Sequence, residues 1–196
     1  DKEIVLLTST VISPTTRMII VQLKEKYSNF KHVMHDALSV SAKLDFYEEA
    51  TGVRALPKYN FNKANLIVSF GSDFLTDLYG QNVEADYAMK RTPGKDMSRH
   101  VQFESNMSLT GSNADRRIKL KPSEMGTALV HLFNEVSGIP ALPAKKLEET
   151  TMQAIRKVAL ELTESKNRGR SIVLVGGDNY HHERMTSAIN FALDNL

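Results

Sequence analysis

Short apolar runs alternate with stretches of helical period along most of the chain. Residues 3–8 (Glu-Ile-Val-Leu-Leu-Thr) and 171–175 (Ser-Ile-Val-Leu-Val) are nearly continuous apolar runs, the pattern of buried strands. Segments 31–37, 65–70, 100–104 and 117–121 predict four more strands. Ser13 followed by Pro14 marks a helix start, because serine accepts from an orphan amide and proline suits the first helical position; this helix runs to about residue 27. Further helices are predicted at 42–50, ending near Gly52, and at 83–91, before the break at Pro93-Gly94. After Pro122, the residues Met125, Ala128, Leu129, Leu132, Phe133 and Val136 share one helical face, and Gly138 closes the helix. A long helix over 145–165 carries Leu147, Thr151, Ala154, Ile155, Val158, Ala159 and Leu162 on one stripe. The last helix, 180–193, is expected to bury Met185, Ala188, Ile189 and Ala192.

This alternation predicts an α/β fold: three α/β/α layers around a mainly parallel, Rossmann-like sheet. Residues 1–196 read as a single domain, with a weaker subdomain break at 139–143, where Pro140 and Pro143 fall. The chain begins at Asp1 without a signal-like apolar stretch, and reads as an excised domain or a processed product.

Composition narrows the chemistry. A net charge of +2 gives no electrostatic basis for nucleic-acid binding. The one dense basic cluster, from Arg116 to Lys121, reads as an alternating strand edge with solvated charges. The absence of cysteine excludes disulfides, thiolate chemistry and cysteine-ligated iron–sulfur clusters within these residues. No apolar run approaches the roughly 18 residues that span a bilayer, so direct membrane insertion is not expected.

In open parallel sheets, ligands gather beyond the carboxyl ends of strands. Four turns fall at predicted strand ends: Thr8-Ser9-Thr10, Gly71-Ser72-Asp73, Glu104-Ser105-Asn106 and Gly176-Gly177-Asp178. Gly71 and Gly176 permit close backbone approach, and Ser72 or Asp73 offers a partner for a ribose hydroxyl. A polar turn with a helix cap explains the same residues, and neither the glycine spacing of a dinucleotide loop nor a P-loop occurs. His181-His182-Glu183 is the only adjacent histidine pair; neighbours on a helix diverge by about 100 degrees, unlike the i, i+4 spacing of a zinc helix. One of these histidines is expected to pack over the sheet edge and the other to be solvated. No nucleophile elbow occurs, and neither catalytic residues nor metal ligands are predicted.

One segment carries a family resemblance. Phe103-Glu104-Ser105, Thr110-Gly111, Ala114-Asp115, Arg117, Leu120 and Ser123-Glu124 resemble the V-E-S-x-x-x-x-T-G-x-x-A-D-x-R-x-x-L-x-x-S-E stretch of the large iron–sulfur protein of alternative complex III. Proteins of that family are also called Tat-variant-translocated molybdopterin oxidoreductases. The run from Ala64 to Leu75 is similar to the family's A-x-x-I-V-S-L-x-x-D-F-L. The segment from Ser171 to Gly176, followed by His182, Ile189, Asn190 and Leu193, is similar to its S-L-V-x-x-G ending. The likeness covers roughly residues 60–196.

The resemblance implies a molybdopterin-oxidoreductase-like region without its molybdenum cofactor. It would act as a non-catalytic docking domain of a membrane-attached, quinol-oxidising electron-transfer complex. Its implied place is the periplasmic face of the bacterial inner membrane, held peripherally. Its implied partners are other subunits of that respiratory complex and the parent's own ferredoxin-like domain. No cofactor is expected in this segment; iron–sulfur clusters would lie in a C-terminal part of the parent. Active relatives in the wider superfamily often carry Asp-Pro-Arg where Glu104-Ser105-Asn106 stands here. Gly71, Ser72, Asp73, Thr110, Asp115 and Gly176 are then vestigial cofactor-binding candidates. Two alternatives stay open: an active molybdopterin guanine dinucleotide-binding oxidoreductase domain, and a generic nucleotide or small-ligand module.

Overall fold

A computed structural model describes residues 2–76, 78, 81–94, 96–139 and 145–195. The chain divides into two compact units, 1–40 and 41–196. The connector expected at 139–143 lies, apart from Ile139, outside the described residues.

The first unit contains β1 (Ile4–Thr8), α1 (Pro14–Lys26) and β2 (Phe30–Met34). Ser13 caps α1 through its side chain, which accepts from the Thr16 amide at 3.4 Å. The two strands pair in parallel, Ile4 opposite Phe30 and Thr8 opposite Met34. Here the expectation of a buried first strand is corrected, because Ile4, Val5 and Leu7 are exposed. The reason is geometric: one helix cannot cover both faces of a sheet, so an apolar run alone does not guarantee burial.

The second unit holds α2 (Ser41–Thr51), β3 (Leu66–Phe70), α3 (Val83–Lys90), β4 (Arg99–Glu104), α4 (Leu109–Ser112), β5 (Arg116–Lys119), α5 (Met125–Ser137), α6 (Glu149–Thr163), β6 (Ser171–Val175) and α7 (Tyr180–Ala192). Its sheet has the order β5-β4-β3-β6, and every ladder is parallel. Side-chain alternation sorts the strands onto two cores. Val68, Phe70, Val101, Phe103, Val173 and Val175 meet Leu129, Leu132, Ile155, Leu162 and Ile189 of α5, α6 and α7 on one face. Ile67, Ile172 and Leu174 meet Phe61, Phe74, Val83 and Tyr87 on the other. This is the three-layer, Rossmann-like α/β arrangement.

Several boundaries differ from the sequence reading. β5 begins at Arg116 and ends at Lys119, since Lys121 already caps the 3-10 turn at Pro122–Glu124. α6 starts at Glu149, four residues late. The four-residue α4 has no counterpart in the sequence reading; the Ser108 hydroxyl, which accepts from the Gly111 amide at 2.9 Å, nucleates it. In α7 the expected Ile189 is buried and Met185 packs against the core, but Ala188 and Ala192 are only half-buried, and Glu183, Thr186 and Asn190 take buried positions instead. Of these three polar residues, Asn190 serves β6, Glu183 serves α2, and the Thr186 hydroxyl donates to the His182 carbonyl within the helix.

Candidate functional site at the carboxyl edge of the sheet

β3 and β6 are neighbours, yet the chain leaves β3 toward the α3 face and leaves β6 toward the α7 face. Divergence of adjacent strand ends opens a crevice at a topological switch point. An open cleft of about 460 Å³ lies there, lined by Gly71, Glu104, Asn106, Met125, Gly176 and His182, among others. The floor is tight: a Cβ on Gly176 would sit 2.2 Å from the Gly71 carbonyl oxygen, so only glycine fits. A smaller recess of about 170 Å³ opens at the amino edge beside Lys63, Arg170, Asn190 and Asn195.

Several polar side chains around the cleft are already engaged. Asp73 accepts from the Thr110 amide at 2.9 Å and from the Thr76 hydroxyl at 2.8 Å. The Thr110 hydroxyl in turn accepts from the Leu75 amide at 2.9 Å, which fastens the loop after β3 to α4. Burial pushes the Asp73 carboxyl up, but donors from Thr110, Thr76 and Ser108 outweigh it, and the pKa lies below the usual value.

Glu104, at the end of β4, is buried and accepts four hydrogen bonds. They come from the Ser108 hydroxyl at 2.6 Å, Arg117 Nε at 2.6 Å, the Ser108 amide at 3.3 Å and Gln102 Nε2 at 3.3 Å. Burial raises its pKa and these donors lower it, with a net fall. The carboxylate fills the space beside Gly111, where a Cβ would lie 1.9 Å from Oε1. The Thr-Gly pair of the sequence segment thus has a local cause: threonine clamps a loop, and glycine leaves room for a buried carboxylate.

His100, Gln102 and Glu104 alternate onto one face of β4 and form a polar chain beneath the cleft. Tyr87 Oη lies 3.0 Å from His100 Nδ1 and 3.1 Å from the Asn113 carbonyl. His100 Nε2 lies 3.3 Å from Gln102 Oε1, and Gln102 Nε2 donates to the Ser72 carbonyl at 3.0 Å. Burial lowers the His100 pKa to about 4, so the ring is neutral near pH 7.

At the mouth, Asn179 caps α7, and its Oδ1 accepts from the His181 and His182 amides at 3.0 and 3.1 Å. Those amides are the donors that a helix N-terminus would otherwise offer an anion. His181 is exposed and His182 half-buried, as one packed and one solvated ring. Gly126 makes room for His182, with Nε2 3.1 Å from where a Cβ would stand. Burial, then the charges of His181 and Lys43, lower the His182 pKa.

Of the six residues singled out from sequence, the carboxyl edge gathers Gly71, Ser72, Asp73, Thr110 and Gly176. Asp115 sits instead before β5, at the amino edge. There Arg91 holds it with two bonds, at 2.7 and 2.8 Å, and it accepts from the His100 amide at 2.7 Å. Among the described residues, no three His, Asp or Glu side chains converge to hold a metal ion.

Sequence reasoning missed the Lys43–Glu183 pair. Both side chains are buried and form a short ion pair between α2 and α7. Lys43 Nζ also donates to the Val175 carbonyl at 2.8 Å, the Lys43 amide donates to Asp178 at 3.1 Å, and Tyr47 donates to Glu183 at 3.3 Å. Burial raises the Glu183 pKa and outweighs the adjacent ammonium. The available signal was periodicity: Glu183 shares the stripe of Thr186, Ile189 and Asn190.

No helix among the described residues is long and apolar enough to cross a membrane. No family model matches the chain, and no curated protein does. Among solved structures, the chain is similar to one in the crystal structure of the formyltransferase/hydrolase complex (FhcABCD) from Methylorubrum extorquens with methylofuran. The TM-score is 0.57 at 12% identity, over 97% of this chain and 50% of that one. This chain therefore spans about half the length of its structural relative, and at that identity the likeness shows the fold alone.

Proposed function

We propose that this chain is a non-catalytic structural and docking domain of a membrane-attached, quinol-oxidising electron-transfer complex. In this reading it is akin to the molybdopterin-oxidoreductase-like region of the large iron–sulfur protein of alternative complex III. It holds no molybdenum cofactor, its partners are the other subunits and the parent's ferredoxin-like domain, and it works at the periplasmic face of the inner membrane. The observation that carries the reading is Glu104. At the strand end where active relatives keep a ligand-gripping motif, its carboxylate is buried and turned inward onto Ser108, Arg117 and Gln102. Asp73, Thr110 and Asn179 are likewise committed to protein groups. A carboxylate with its lone pairs filled has little left for a ligand, and freeing it would cost the hydrogen bonds it holds. The structural relative belongs to a multisubunit complex, which agrees with a role inside an assembly.

The test is isolation of the parent polypeptide with its associated subunits, followed by metal and pterin analysis. The reading expects co-purifying redox subunits, iron in the parent, and no stoichiometric molybdenum, tungsten or pterin. Stoichiometric metal and pterin would favour the active-oxidoreductase alternative. The open cleft supports a second reading, a small-ligand module, since its volume falls in the range of such sites.

A further inference from the structure

The two edges of the four-stranded sheet are finished differently. In the β3–β6 ladder, the Gly176 amide bonds the Phe70 carbonyl at 2.8 Å, and Phe70 pairs with Val175. This phase turns the peptide groups of Ile172 and Leu174 inward and those of Ser171, Val173 and Val175 outward. Side chains cover the outward groups. Asn195 Oδ1 accepts from the Ser171 amide at 3.3 Å. Asn190 accepts from the Val173 amide at 3.1 Å and donates to its carbonyl at 2.7 Å, imitating a neighbouring strand. Lys43 donates to the Val175 carbonyl at 2.8 Å.

The β5 edge has no such cover. The Leu120 amide bonds the Glu104 carbonyl at 3.0 Å, and Glu104 pairs with Lys119. The peptide groups of Arg116 and Ile118 therefore face β4, and those of Arg117 and Lys119 face away. Among the described residues, nothing bonds those outward groups. The strand's own charged side chains, Arg116, Arg117 and Lys119, are all basic. Arg117 is held by Glu104, whereas Arg116 and Lys119 have no carboxylate partner among the described residues. A groove of about 470 Å³ runs beside the edge, walled by Thr150, Thr151 and Ala154 of α6; its two carboxylates are engaged, Glu124 by Lys121 and Glu148 by the Thr150 hydroxyl, which leaves Arg116 and Lys119 as its unpaired basic charges among the described residues.

We propose that the β5 edge docks an extended acidic segment of a partner protein, which adds as a fifth strand. Its main chain would bond the Arg117 and Lys119 peptide groups, and acidic side chains on its two faces would meet Arg116 and Lys119. Charge selects this occupant. A second copy of the chain paired edge to edge would set arginine and lysine against each other across the strands, which is unfavourable. The proposal rests on the docking reading above, but its test does not touch cofactor content, so either can fail alone.

The probe is a fluorescein-labelled peptide of two Glu-Glu-Val-Val repeats, followed by anisotropy and by amide shifts in NMR. Saturable binding is expected, with shifts centred on residues 116–121. Arg116→Glu with Lys119→Glu should weaken it by about tenfold or more. Lys119→Pro should abolish it, because that amide points away from β4 and its loss spares the ladder. The same peptide N-methylated at alternate amides should bind at least about tenfold more weakly to the native chain, a control that holds even if the proline variant fails to fold. No saturable binding, equal binding of a Lys-Lys-Val-Val peptide, or unchanged binding after N-methylation would overturn the proposal.

Discussion

Replacing Lys43 with methionine removes one half of an ion pair whose members are both buried, with side chains 4% and 2% exposed. It also strips the Val175 carbonyl of its donor. Breaking such a pair from one side typically costs roughly 3–5 kcal/mol, because the remaining charge is buried without compensation. For a chain of this size, each kcal/mol lowers Tm by roughly 2–4 °C, so Lys43→Met should melt about 6–20 °C lower. Glu183 also sets the pH dependence. Its pKa is raised in the folded chain, so the fold binds that proton more tightly than the unfolded chain does. Acidification through the folded pKa then restores stability, and the deficit of Lys43→Met should be largest at neutral pH and shrink toward acid. The assay is urea denaturation followed by circular dichroism at neutral and mildly acidic pH. The full cycle would include Glu183→Leu and the double variant. Two apolar partners leave no uncompensated charge, so the double variant should cost much less than the sum of the singles. Additive costs, or a neutral-pH loss below about 1 kcal/mol for Lys43→Met, would refute the claim that a buried pair fastens α2 to α7.

Three further outcomes follow from the same geometry. Gly111→Ala places a methyl group 1.9 Å from the Glu104 carboxylate, so it should displace Glu104 from Arg117 and cost roughly 1–3 kcal/mol in urea denaturation, whereas Ser112→Ala beside it should cost far less. His100 resists protonation down to about pH 4 in the fold but takes a proton near its ordinary value when unfolded, so stability is full above pH 6.5 and falls as pH drops toward 4. That loss is of order 3 kcal/mol and should flatten in His100→Asn, as read from urea midpoints across pH. Asn190→Leu leaves the Val173 amide and carbonyl without partners; it should cost about 2–4 kcal/mol by thermal denaturation and expose the β6 edge to intermolecular pairing, visible as concentration-dependent light scattering.

Elements whose signal is local were legible in the sequence. The apolar runs of β3 and β6, the stripe of α5 and the alternation between them carried enough periodicity to fix a parallel α/β fold. Five of six candidate residues meet at one end of the sheet because strand ends in such folds share an edge. Asp115 did not follow, since it precedes its strand, and in a parallel sheet that places it at the opposite edge. What stayed hidden depends on contacts distant in sequence. Lys43 lies 132 residues from the carbonyl it caps, and nothing around it marks it as buried. Glu183 and Asn190 interrupt an apolar stripe, and periodicity alone shows them as polar positions without revealing the strand edge they serve. The exposure of β1 was hidden for the converse reason: its pattern speaks of burial, and only the count of covering helices decides it.

The proposed function requires that the carboxyl edge of the sheet, with Glu104 and Asp73 held by protein donors, does not grip a nucleotide. Its most direct measurement is an NMR titration of the chain with a guanosine diphosphate or a pterin at millimolar concentration. The amides of Gly71, Asp73, Thr110, Gly176 and Asn179 serve as reporters. The account predicts that these signals stay in place, with the Glu104 carboxylate still held by Arg117. Saturable, specific shifts of the Gly71 and Gly176 amides would contradict it.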